Sequence, residues 1–159
     1  MIAGNPDRIA FIVERVSDWS SCGCTNGIMQ LYMNGRQYPK ELRTAAIDGE
    51  INTLLCGKSP IITMPENEEL FDLPVQKAAE KLCAAASEKG DYRYNVPLQE
   101  IEDAGFYLFM VCSDNRTKFI LAENKGTDNI VYEDYVIIEN DEMVRIKEKL
   151  IKFKENLFI

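Results

Sequence analysis

Two cysteines one residue apart, Cys22 and Cys24 in SDWSSCGCTNG, could bind a metal as thiolates, close a disulfide or act as nucleophiles. Structural zinc sites usually draw on C-x-x-C pairs or on histidines at set spacings, and this chain has no histidine. Of the other thiols, Cys83 falls on the apolar stripe of a predicted helix and Cys112 ends a predicted buried strand, where cysteine behaves as a small hydrophobe; Cys56 precedes both, at the end of the segment Glu41–Cys56. The expectation is therefore a Gly- and Ser-rich loop between two strands, without metal and, in a reducing compartment, without a disulfide.

The missing histidine removes the commonest general base and the orienting member of Ser-His-Asp and Cys-His arrangements. Carboxylates, Lys, Tyr and Cys remain. Glu100 and Asp103 share one face of a short predicted helix in PLQEIEDAG, and Asp128, Glu133 and Asp134 cluster near a strand entrance. Paired carboxylates can do acid–base work or hold Mg²⁺. Among 26 acidic residues such neighbours arise by chance, and a solvated face is favoured. There is no phosphate-binding P-loop, no G-x-G-x-x-G and no G-x-S-x-G. No catalytic residue, metal ligand or cofactor is expected. Trp19, the only tryptophan, sits in the polar loop, where anchoring onto the chain's own core is favoured over an interface role.

The elements that would position these residues follow from periodicity. Ile9–Val16 (IAFIVERV) reads as a strand, and Gly27–Met33 (GIMQLYM) as a second, ended by the hairpin signal Asn34-Gly35. Arg36–Tyr38 is a short returning strand stopped by Pro39. Glu41–Cys56 suggests one or two short helical pieces around Gly49, and Lys58–Pro65 a connection with a short strand at Ile61-Ile62. Glu66–Ser87 is helical, with Pro74 in the first turn of the main helix and Lys89-Gly90 at its end. Gly105–Cys112 reads as a buried central strand, Arg116–Ala122 and Ile130–Ile138 as two more. Asn140 caps a helix to about Asn156, striped by Met143, Ile146, Leu150, Phe153 and Leu157. The class is α+β: a largely antiparallel sheet, a central helical segment and a C-terminal amphipathic helix, in one domain over residues 1–159.

Composition narrows the function. A net charge of −8 is concentrated in residues 60–110, which carry ten acids against four bases. That balance argues against direct nucleic-acid binding and suits a basic protein partner. No apolar run reaches the roughly 20 residues that span a bilayer, and the N-terminus lacks the pattern of a signal peptide, so a soluble cytoplasmic protein is expected.

The stretches MIAGNP, IAFIVERVSDW and NGIMQLYMNGRQYPKEL, with the later YRYNVPLQEIEDAGFYLFMV, resemble immunity proteins of bacterial polymorphic toxin and contact-dependent inhibition systems, in particular the group numbered forty-two. The similarity runs over most of the chain; the C-x-C insert is not a feature of that group. The resemblance implies a non-catalytic antidote in the cytoplasm, binding the C-terminal toxin domain delivered by a neighbouring cell. For such a partner, a basic nuclease among the options, acidic steering followed by burial of an aromatic-centred patch is expected. The contacts expected from charge and aromatic content are Trp19, Glu66, Glu68, Glu69, Asp72, Glu100, Glu102 and Asp103. A carboxylate- or cysteine-dependent hydrolase, or a regulatory module with a small ligand, are the alternatives.

Overall fold

A computed structural model describes residues 1–126 and 129–157. The first sheet contains β1 (Ile2–Asn5), β2 (Ile9–Arg15), β3 (Asn26–Met33), β4 (Arg36–Tyr38) and β5 (Ala45–Ala46), with β1 to β4 in sequence order and β5 beside β3. The Asn34-Gly35 hairpin forms as expected, both residues at positive φ (49° and 76°), as a type I′ turn requires. β1 was not expected. Its Gly4 adopts φ +110°, and a Cβ there would lie 2.2 Å from the Ile9 carbonyl oxygen on β2. The residue that weakens the strand signal is thus the one that permits the close pairing.

Among the described residues six α-helices follow or interleave: α1 (Ile47–Leu54), α2 (Pro60–Thr63), α3 (Glu68–Asp72), α4 (Val75–Lys89), α5 (Gln99–Glu102) and α6 (Asn140–Leu157). The strand expected at Ile61-Ile62 is instead the single turn α2. The Ser59 hydroxyl accepts from Ile61 N at 3.3 Å, and Pro60 occupies the first helical position, so a cap and a preset φ outweigh two β-branched side chains. The helical stretch expected over Glu66–Ser87 consists of α3 and α4, parted at Leu73-Pro74; Pro74, expected in the first turn of the main helix, is the cap residue just before α4.

The second sheet is β6 (Asn95–Val96), β7 (Phe106–Ser113), β8 (Arg116–Asn124) and β9 (Ile130–Glu139), antiparallel in that order. Its inner face contributes Leu108, Met110, Cys112, Phe119 and Leu121 to a core shared with the first sheet, α1 and α6. Its outer face, Phe109, Val111, Ile120 and Ala122, packs under Phe71 of α3 and Ala78, Ala79 and Leu82 of α4. Because both faces are covered, β7 and β8 are continuous apolar runs where a half-exposed strand would alternate. Lys118 is the exception on the outer face. Its ammonium donates to the Phe71 carbonyl at the end of α3 and stands 4.9 Å above the Phe71 ring, while desolvation lowers its pKa. Asn140, expected to cap α6, uses its side chain to tie the start of that helix to Thr117 (2.6 Å) and the Asp114 carbonyl (3.1 Å).

β9 is an edge strand whose outward groups are occupied by side chains. Gln76 of α4 donates to the Ile130 carbonyl (2.8 Å) and accepts from Tyr132 N (3.1 Å). Asn34, in the turn between β3 and β4, donates to the Tyr135 carbonyl (3.0 Å), and Arg8 to the Ile137 carbonyl (2.8 Å). These bonds lock the hairpin turns of the first sheet onto the second and leave little edge for another strand to pair with. The double substitution R8A/N34A is expected to cost about 1–3 kcal/mol of stability and to make the sedimentation coefficient rise with concentration. A variant sedimenting like the parent would show that the edge is protected in some other way.

Candidate functional site

A groove of about 500 Å³ runs between the C-terminal half of α4, the segment after it, and the outer face of the second sheet. One wall is a helix face: Glu80, Cys83, Ala84 and Ser87 recur at helical spacing, beside Ala78, Ala79 and Leu82, which hold α4 on the sheet. The small side chains Ala84, Ala86 and Ser87 leave the space open. Gly90, at φ +64°, ends the helix in the left-handed conformation, with Asp91 N bonded to the Ala85 carbonyl at 2.9 Å. The reversal brings Tyr92 to the rim, 61% exposed. The next residue is pinned: Arg93 donates to both Asp91 carboxylate oxygens (2.8 and 2.7 Å) and lies 5.5 Å from the Tyr94 ring centroid. The Arg93 guanidinium holds the Asp91 carboxyl down to about 2.

The opposite wall is α5 with β6. Asn95 Nδ2 donates to Glu102 Oε1 at 3.0 Å and so fixes that carboxylate at the groove. The floor is aromatic, Tyr107 and Phe109 from β7. Glu80, Glu88 and Glu102 are the acids of the lining, and no Lys or Arg is among its described residues. Burial pushes the Cys83 thiol up to about 11, which disfavours the thiolate, the nucleophilic form. Negative charge above aromatic rings attracts cations and repels anions.

Beside the groove lies a buried acid that the sequence did not single out. Glu50 of α1 is 7% exposed and accepts from Gln99 N at 3.2 Å, at the start of α5. Burial raises its pKa from 4.5 to about 7, assisted by the negative charges of Glu100 and Glu102 and opposed by the backbone bond.

Of the expected contact residues, Glu102 alone lines this groove. Glu100 is half-buried, its pKa raised by desolvation, with Arg43 opposing; Asp103 is exposed at the C-cap of α5. Glu66 and Asp72 are exposed, and Glu68 and Glu69 occupy the first turn of α3, where the helix dipole favours acids. Glu69 pairs with Lys81 at 3.1 Å on the surface. Trp19 ends a 3-10 turn (Ser17–Trp19) on the first sheet and is 47% exposed, so the expected core anchoring is not what it does. Its backbone carbonyl, accepting from Asn26 Nδ2 at 2.7 Å, does the anchoring and leaves the indole outside. Cys22 and Cys24 are exposed free thiols in a tight turn closed by Ser21 and Cys24 backbone bonds of 3.1 Å. Asp128 lies outside the described residues. Glu133 lines a shallow recess beside Arg36 and Lys40, and Asp134 accepts from Asn34 at 2.7 Å. No cluster of three or more metal-ligating side chains occurs among the described residues. No helix there is long and apolar enough to cross a membrane.

A family model described as Immunity protein 42 matches residues 1–153. The crystal structure of CdiI from Burkholderia dolosa AUO158 superposes with a TM-score of 0.69 at 23% identity, over 96% of this chain and 99% of that one. At that identity the likeness speaks for the fold. No curated protein matches the sequence.

Proposed function

The chain belongs to the Immunity protein 42 family, and from that premise we propose that it neutralises one cognate toxin domain in the cytoplasm by binding it through the acidic groove and the acids around it. The observation that carries the choice of surface is the groove's lining: three carboxylates over an aromatic floor, with no cation among its described residues. Complementary charge raises the rate of encounter with a basic partner, and exposed aromatic side chains such as Tyr92 supply area once contact is made. Glu66, Glu68, Glu69 and Asp72 on and before α3 extend the negative field and act in steering. A basic nuclease domain fits this reading, because the cations that hold phosphate are those an acidic surface can cover. No bond of a substrate needs to be broken for such neutralisation, in keeping with a groove where burial disfavours the thiolate.

The test is protection. Cells expressing the cognate toxin domain should survive when the chain is co-expressed, and the two proteins should co-purify. Survival without a complex, accompanied by chemical change of the toxin or its product, would replace inhibition by catalysis and sink the proposal.

A further inference from the structure

We propose that the groove is a socket for an arginine side chain carried on a surface segment of the toxin domain. The inference rests on the groove being the toxin-facing surface and specifies what enters it. Three properties of the site select the guanidinium. Its planar fork makes two parallel bonds to a carboxylate and stacks on aromatic faces, where an ammonium is a compact, strongly hydrated point charge. The site offers both halves of that recognition: Tyr92 at the rim and Tyr107 on the floor, with Glu80, Glu88 and Glu102 around them. Glu102 is oriented beforehand, since Asn95 Nδ2 donates to its Oε1 at 3.0 Å. The segment that forms the rim already holds one guanidinium in this manner. Arg93 is gripped through two bonds by Asp91 (2.8 and 2.7 Å) with its carbon 5.5 Å from the Tyr94 ring centroid.

The volume, about 500 Å³, also exceeds what one surface carboxylate pair needs, so the neighbouring residues of the incoming segment have room beside Ala84, Ala86 and Ser87. Those small side chains fit the stem of a long side chain lying along α4, its methylenes against apolar surface and its head among the acids. An acidic segment would meet repulsion from three carboxylates, and an apolar one would strand them without water.

Blocked Gly-Arg-Gly and Gly-citrulline-Gly peptides decide the matter, because citrulline has nearly the shape of arginine without the charge. Titrated into the ¹⁵N-labelled full chain, the arginine peptide should shift the amides of Tyr92, Asn95 and Glu102 and the Asn95 side-chain amide in a saturable way. The citrulline peptide should bind about tenfold more weakly or worse, and E102Q should lose a similar factor for arginine. Equal shifts from both peptides, or none at these positions, would overturn the socket. A second arm uses the toxin domain with E80Q/E88Q/E102Q. Undiminished affinity there would refute the socket while neutralisation stands. Failure of the native chain to bind any toxin domain would refute the functional reading, with the peptide result still deciding what the groove accepts.

Discussion

Replacing Glu50 by glutamine should stabilise the protein by about 2 kcal/mol at about pH 8 and flatten its dependence on pH between the two states of that carboxyl. The unfolded chain releases the Glu50 proton near 4.5, whereas the folded protein keeps it to about 7. Within that window folding takes up a proton, so stability falls as pH rises. Below it both states are protonated and the contribution of the buried acid is fully present; above it both are ionised and the penalty is complete. A rise from 4.5 to about 7 corresponds to roughly 3 kcal/mol. Glutamine keeps the shape and the acceptor for Gln99 N but carries an amide group that must find its own partner, which reduces the gain. Urea midpoints of both proteins across pH 4 to 9 measure this directly. Curves for the variant and parent that stay parallel would mean the folded protein tolerates the ionised Glu50, and the assignment of its raised pKa would fall. E50A, by contrast, should destabilise, because it leaves a void and the Gln99 N–H without its acceptor.

Features whose information is local were legible in the sequence. Asn34-Gly35 needs only its own backbone preferences to announce a turn, and the run from Gly105 to Cys112 announces a strand covered on both sides. The stripe Met143, Ile146 and Leu150 likewise fixes the buried face of α6. What remained hidden depends on partners distant along the chain. β1 is four residues long, and its pairing with β2 rests on the close approach at Gly4, which by propensity argues against a strand. Glu50 falls on the stripe of α1 shared with Ile47, Ile51 and Leu54, yet nothing near it says that α5, some fifty positions later, will close over its carboxylate. The groove shows the same division. The acids of α5 attracted notice because they cluster in sequence, yet only Glu102 reaches the groove; Glu80 and Glu88 join it because α4 crosses the sheet there. The small-residue run Ala84–Ser87 was the available signal, since a helix face of small side chains beside an exposed tyrosine leaves space to be filled. Trp19 failed differently: its loop is anchored by backbone and by Asn26, so the ring was free to stay outside.

Reversing charge in the groove should have the largest effect on function. E80K/E88K/E102K exchanges three carboxylates for three ammonium groups and should lower the association rate for a basic toxin domain by on the order of 100-fold at low ionic strength. Raising the salt to about 0.15 M, where the Debye length is about 8 Å, should shrink the gap between variant and parent, because the field that steers the encounter is screened. Dissociation should also quicken, since Glu102 is held in place by Asn95 and a charge pair made there is partly shielded from water. The fold should survive. Glu80 and Glu88 are exposed, and in the described lining the three acids have no cation whose loss would unfold anything. The comparison that gives the result its meaning is E66K/E68K/E69K, an equal change of charge on the α3 side, at positions that do not line the groove. Both variants weaken long-range steering, and only the groove variant removes contacts, so the α3 variant should slow association with little change in dissociation. Stopped-flow association and surface-based dissociation against the same toxin domain separate the two. If the α3 variant loses the complex and the groove variant keeps it, the binding surface lies along α3 and the groove is not where the toxin is held.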